Sequence, residues 1–268
     1  MIRPIHLALM GIVVATASPA LAMASTISLS VNPSTLQMHA GEARQVTVTN
    51  IGGAAANLRA TVGDYGMTPG GIVILNPRTA PPASAARWVT ITPSTLALVP
   101  GESAVLDVQS TAPTTAPPGD HEALILLSGS PVRPTGGTVQ VDVRLGIGTL
   151  ITVPGDLHRH LVLTRTRERG HGATRSLEIG LTNMGNVNEV IGRGQAKVTF
   201  RQGRQVFTRV LPGRRSILPG GRATVTIRCP GTLVHSTRAV LTIHPSAPSM
   251  VSTASLPPVL RRTVVIHP

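Results

Sequence analysis

Short runs of alternating apolar and polar residues recur along this chain. They include "VTVTN" ending at Asn50, "WVTIT" from Trp88, "AVLDVQS" from Ala104, "VQVDVRLGI" from Val139 and "TVTIRC" from Thr224. Alternation with period two places every second side chain on one face of a strand, so each run predicts a half-buried β-strand. Gly, Pro, Asn and Ser separate the runs, which is turn chemistry. "FRQGRQVFTRV" predicts a hairpin around Gln202-Gly203, because Gly203 can supply the positive φ of a tight turn. No segment predicts a helix longer than one turn, and the fold class expected is all-β.

Two levels of repetition organise these strands. "PSTLQMHAGEA" (33–43) and "PSTLALVPGES" (93–103) are near copies, each leading into an alternating run. A sixty-residue half-sandwich would leave an apolar sheet face in water, so the copies read as two similar edges of one sandwich. The larger repeat pairs "QVTVTNIGG" from Gln45 with "SLEIGLTNMGN" from Ser176, and "LVPGESAVLDV" from Leu98 with "ILPGGRATVTI" from Ile217. A period of about 120–130 residues is the size of an immunoglobulin-like domain. The architecture predicted is two tandem immunoglobulin-like antiparallel β-sandwiches, 23–153 and 154–268, divided at the Pro154-Gly155 turn.

The first 22 residues read differently. Arg3, the apolar run Leu7 to Ala17 and the small-residue site Ala20-Leu21-Ala22 have the form of a secretory signal peptide. The run is shorter than the roughly 18–20 residues that span a bilayer. The mature protein is therefore expected to be exported, without a transmembrane segment, in the periplasm or at the cell surface. Cys229, the single cysteine, closes an alternating run and reads as a structural thiol. Aromatic residues make up 1% of the chain, so the cores must be aliphatic.

Charge is distributed unevenly. Residues 23–152 carry six Arg against seven acids, while 153–268 carry sixteen Arg and one Lys against four acids. The second half is thus a basic domain able to attract anionic lipid or an acidic wall polymer. Arg165, Arg167 and Arg169 alternate and would share one strand face. Arg201, Arg204 and Arg209 surround the hairpin, and Arg214 and Arg215 fill the next turn. These eight are the candidate polyanion-binding residues. Nucleic acid is excluded as a partner by export and by the lack of stacking aromatics.

Other constellations are weaker. Asp156, His158 and His160 would share a strand face, but no further metal ligand is evident. Asp120, His121 and Glu122 invite an acid–base reading, yet they follow Pro118-Gly119 and read as a turn. Trp88 reads as packing. There is no Gly-x-Ser-x-Gly elbow and no phosphate-cradling glycine loop, so neither catalysis nor a cofactor is expected. The last run of the first half, with Val139, Val141, Val143, Leu145 and Ile147 on one face, is a candidate strand-pairing edge for an incoming peptide.

The strand grammar of "VTVTNIGG", "WVTITPSTLALVPGES" and "PPGDHEALILLSGS" resembles bacterial extracytoplasmic two-domain immunoglobulin-like families. "VRLGIGTLITVPG", "LTNMGN" and "ILPGG" are similar to the WxL-interacting cell-surface proteins. A more distant resemblance is to periplasmic pilus-assembly chaperones. That resemblance would imply an Arg on the first strand and a Lys on a later one to hold a subunit's carboxylate. "TISLSVNPS" has no Arg, and Lys197 is the chain's only lysine. The function expected is therefore a non-enzymatic binding or scaffolding protein of the cell envelope, partnered by a surface protein or anionic polymer. The alternative is a chaperone-like protein acting by strand donation.

Overall fold

The computed structural model describes residues 27–75, 80–81, 83–131, 143–211, 213–230, 237–246 and 259–266. The signal-peptide reading of residues 1–22, and Val139 and Val141, lie outside them. Eleven strands precede residue 154: β1 (Leu29–Asn32), β2 (Thr35–His39), β3 (Ala43–Asn50), β4 (Ala56–Gly63), β5 (Tyr65–Met67), β6 (Val73–Leu75), β7 (Val89–Thr92), β8 (Thr95–Leu98), β9 (Ser103–Ser110), β10 (Gly119–Pro131) and β11 (Val143–Val153). They form a four-stranded sheet, β1-β3-β9-β7, and a five-stranded sheet, β2-β11-β10-β4-β8, with β5 and β6 as a separate hairpin. Val46, Val48, Leu106 and Val108 from the first sheet meet Leu58, Ile125, Leu127 and Ile147 from the second in one buried aliphatic core.

The two "PSTL" copies occupy equivalent places. At Pro33 the chain leaves β1, an edge of the four-stranded sheet, and becomes β2, an edge of the five-stranded sheet. At Pro93 it leaves β7, the opposite edge, and becomes β8, the other opposite edge. Both X-Pro bonds at these crossings are cis. The turns that follow match atom for atom. Glu42 accepts the His39 amide on its side chain at 3.0 Å, and Glu102 accepts that of Val99 at 2.9 Å. Gly41 and Gly101 supply the positive φ, +88° and +81°.

Nine strands follow: β12 (Leu161–Arg169), β13 (Ser176–Asn183), β14 (Glu189–Ile191), β15 (Ala196–Gln202), β16 (Gln205–Val210), β17 (Arg215–Ile217), β18 (Arg222–Arg228), β19 (Thr237–Ile243) and β20 (Leu260–Ile266). Sheet β12-β13-β18 and the short pair β14-β17 oppose sheet β16-β15-β19-β20. Between them Leu177, Ile179, Leu181, Val225 and Ile227 pack on Val198, Phe200, Leu241 and Ile243. The fold is all-β, and the helical content described is two single 3-10 turns, Ala86–Trp88 and Gly172–Thr174. The β15-β16 hairpin turns at Gly203 (φ +57°), as its sequence predicts.

The long-period repeat has one physical carrier. Asn50 and Asn183 are both fully buried, each at the end of its strand. Asn50 Nδ2 donates to the carbonyls of Ala54 and Leu98 (2.8 and 3.1 Å), and its Oδ1 accepts the Gly52 amide. Asn183 Nδ2 donates to those of Val187 and Ile217 (2.8 and 2.9 Å), and its Oδ1 accepts the Gly185 amide. A buried loop carbonyl must find a donor, and a short amide side chain supplies two donors and an acceptor at one point. Replacing Asn183 by Ala orphans two carbonyls and one amide. We expect a loss of about 2–4 kcal/mol, read as a lower urea midpoint at unchanged slope. A loss below about 0.5 kcal/mol, within the range of an ordinary surface substitution, would refute this role.

Candidate functional site

The two sandwiches meet through a dense polar junction. Segment 154–160 joins β11 to β12 and lies outside any strand. Asn186, in the loop after β13, donates its Nδ2 to the Pro118 and Asp156 carbonyls (3.0 and 2.8 Å) and accepts the His158 amide on Oδ1 (2.8 Å). Its own carbonyl accepts the Asp120 amide at 2.7 Å. Asp120 completes the bridge. One carboxylate oxygen accepts the Thr152 hydroxyl at 2.7 Å in its own sandwich, and the other accepts the Asn188 amide at 2.7 Å in the second. Two glycines allow the approach: a Cβ on Gly119 would stand 2.4 Å from the Asn186 carbonyl oxygen, and one on Gly155 2.5 Å from Pro118. The linker is pinned by a buried two-point ion pair, Arg159 Nε and Nη2 to the Glu189 carboxylate at 3.0 and 2.5 Å.

A second contact joins the hairpin of the first sandwich to the second. The turn of the β5-β6 hairpin reaches the second sandwich, where the Thr224 amide of β18 donates to the Pro69 carbonyl at 2.6 Å. Arg215 packs its side chain against Gly71 of the same turn. The hairpin thereby caps the free edge of β18.

Between these contacts runs a cleft. Its floor is the outer face of the five-stranded sheet, with Leu124, Leu126 and Leu150 beside Gly146 and Gly148. Tyr65, Met67, Val73 and Leu75 of the hairpin form one wall, and Asn188, Arg214 and Ser216 close it. The hairpin is apolar on both faces of its second strand. Ile72, Val73, Ile74 and Leu75 are consecutive and all exposed, Ile72 by 69%. Contiguous apolar exposure of this kind marks an interaction surface more often than chance.

β11 borders the cleft. β10 pairs with it along its whole length, but β2 pairs in parallel only with Gly148–Thr152. Among the described residues, the stretch from Val143 to Ile147 has a paired side and an open side. Val143, Leu145 and Ile147 point toward the core, with Ile147 fully buried, while Arg144 and Gly146 face outward. Of the apolar row read from the sequence, Val143, Leu145 and Ile147 fall among the described residues, and they form the margin of the core.

Asp120, His121 and Glu122 are not in a turn. β10 starts at Gly119 because these residues pair with Thr152, Ile151 and Leu150 of β11, and all three are buried. Burial, then the charge of Asp120, pushes the Glu122 carboxyl up to about 8. One of its oxygens is buried without a hydrogen-bond partner. Burial also raises Asp120, against the opposing pull of Thr152 and Asn188. The neighbouring Tyr65 hydroxyl is raised by burial and then by Glu122. Trp88 packs on the first core and lies 4.5 Å from the His121 ring. Asp120, His121 and Glu122 are buried, while Tyr65 lines the cleft.

The remaining candidates separate. Arg165, Arg167 and Arg169 are exposed together on β12, with Arg169 bonded to Glu178 at 3.1 Å. Arg201, Arg204 and Arg209 lie on the β15-β16 hairpin of the opposite sheet, Arg214 lines the cleft, and Arg215 lies against Gly71 of the β5-β6 turn. The eight therefore form three groups. Asp156, His158 and His160 are exposed in the linker rather than on a strand, where Asn186 bonds to the backbone of Asp156 and His158. No group of metal-ligating side chains occurs among the described residues. Cys229 is buried in the second core, and burial, then Glu168, lifts its thiol to about 11. No helix of the described residues is long and apolar enough to cross a membrane. Sequence reasoning missed the β5-β6 hairpin and Asn186, although the run Ile72–Leu75 is visible as an apolar tetrad.

No protein-family model and no curated protein matches the chain. Several solved structures are similar in strand course. The class 5 fimbriae chaperone CfaA shares 14% identity over 90% of this chain and 100% of its own, with a TM-score of 0.48. For the Pseudomonas aeruginosa CupB2 chaperone the values are 11%, 89%, 99% and 0.47. For the E. coli chaperone DraB they are 14%, 82%, 93% and 0.45. The likeness is one of chain path, at identities too low to carry residue roles across.

Two predictions follow from the junction. Replacing Asp120 by Ala leaves the Asn188 amide and the Thr152 hydroxyl unpaired. We expect a loss of about 1–3 kcal/mol and faster tryptic cleavage at Arg159; unchanged cleavage would show that the carboxylate does not hold the linker. The raised Glu122 makes stability fall as pH rises from about 4.5 to about 8, because the folded state keeps a proton that the unfolded state releases. Glu122→Gln should flatten that slope and raise the thermal midpoint at pH 8 but not at pH 4. An identical pH profile in the two proteins would refute it.

Proposed function

We propose that this is an exported, non-enzymatic binding protein of the cell envelope that takes up an extended segment of a partner surface protein. The segment would add as a strand to the open edge of β11 at Val143–Ile147. Its outward side chains would lie in the apolar cleft between Leu124, Leu126 and the β5-β6 hairpin. Export rests on the signal-like residues 1–22. The reading is carried by one observation: an unpaired run of backbone beside an apolar groove that the hairpin and second sandwich hold open. Main-chain hydrogen bonds would supply affinity with little sequence demand, and the cleft would supply selectivity. The chaperone-like alternative is the converse, in which this chain donates a strand to a partner subunit. Scaffolding through closed domain surfaces is the second reading, for which the basic second sandwich speaks.

The test maps the edge directly. Arg144→Cys, carrying a cleavable photocrosslinker, should capture a discrete partner from envelope extract. Added back to the unmodified chain, that partner should slow amide exchange at 143–147. Val73→Asp with Leu75→Asp, both exposed positions, should weaken the complex about tenfold or more, as loss of an apolar anchor does. Protection confined to other strands, with 143–147 exchanging as in the free protein, would sink the strand-pairing reading.

A further inference from the structure

The outer face of sheet β12-β13-β18 is dense in arginine and hydroxyl side chains. Reading the register across it, Arg165 lies beside Gly180 and Thr224, Arg167 beside Glu178 and Thr226, Arg169 beside Ser176 and Arg228, and Thr182 beside Arg222. Five arginines, Arg165, Arg167, Arg169, Arg222 and Arg228, are exposed around a floor of hydroxyls. Glu178 is the one acid on this face. Val162, half-buried beside Thr182, is the one apolar side chain on it.

The face also has relief. The β12–β13 register slips between Leu163 and Arg165, so Thr164 is an extra residue. A bulge of this kind re-aims side chains. Here it brings both Thr164 and Arg165 over Gly180, whose missing Cβ would stand 2.9 Å from the Thr164 hydroxyl and 2.7 Å from Arg165 Cγ. Arg222 stands on the far side of the same groove, and Pro69 of the first sandwich closes its end. The result is a notch between two guanidinium groups, continued along β12 by Arg167 and Arg169 at the roughly 7 Å step of alternate strand residues.

We propose that this face binds a linear acidic polysaccharide, with one anionic group seated between Arg165 and Arg222 and the chain running along β12. Charge complementarity selects an anionic partner, and the guanidinium fork suits carboxylate or phosphate oxygens. The hydroxyl floor selects a hydroxylated polymer. A membrane surface fits poorly, because docking on lipid uses an exposed set of apolar side chains and this face offers the half-buried Val162 alone among the described residues. The site is independent of the cleft and of strand pairing.

The experiment uses the full chain and fluorescein-labelled oligogalacturonate at low salt, followed by anisotropy. We expect saturable binding, lost as added salt shortens the screening length, with neutral dextran inert and phosphatidylglycerol vesicles not competing. Arg165→Gln with Arg222→Gln should weaken binding about tenfold, whereas Arg201→Gln with Arg204→Gln, the same charge change on the other sheet, should cost less than about twofold. Arg222→Lys, which keeps the charge but loses the fork, should fall between them. Equal losses from the two double variants would mean a diffuse field and overturn the site. Vesicles that compete fully would overturn the polysaccharide assignment, and absence of binding at low salt would overturn both.

Discussion

The two oxygens of Asp120 serve different sandwiches: one takes the Thr152 hydroxyl, the other the Asn188 amide. A carboxylate at 1% exposure is costly unless its acceptors are filled, so the junction is satisfied only when both sandwiches are in place. The cleft inherits its shape from that requirement. Asn188 belongs both to the clamp and to the cleft wall, and Asn186 ties the same loop to Pro118 and to the linker. Gly119 and Gly155 are needed because the backbones approach closer than a Cβ permits.

Around this clamp the molecule retains a destabilising group. Glu122 is buried beside Asp120 with an unpaired oxygen, and it stays protonated at neutral pH. The cores that must offset it are aliphatic, with Phe200 the largest fully buried side chain. Such cores gain about 25 cal/mol per Å² of apolar area buried, and each aliphatic side chain contributes less area than an aromatic one. Polar anchors such as Asn50, Asn183 and the Arg159–Glu189 pair hold loops in one place, and removing one leaves its buried partners unpaired.

Sheet edges are treated in two ways. The first sandwich passes one strand between its sheets at each side, so β1, β2, β7 and β8 are all short, and short edges resist unwanted pairing. β18 is capped by Pro69. Among the described residues, β11 combines a long central pairing with an open stretch beside an apolar groove. An edge left unprotected while others are managed is the physical basis of the strand-pairing proposal.

Strand positions, the all-β class and the two-edge role of the "PSTL" copies were legible in the sequence, because alternation and turn residues act within a few positions of each other. The equivalence of Asn50 and Asn183 was legible as a repeat, but its cause was not, since the carbonyls they bind lie on remote loops. Asp120 and Glu122 look like turn residues after Pro118-Gly119; only pairing with Leu150–Thr152 buries them. Arg222 and Arg228 are far in sequence from Arg165, and they join its face through the register of β13 with its two neighbours. Local pattern determines which side of a strand a residue occupies. Which residues share that side across a sheet is settled by register and packing, which depend on contacts between distant segments.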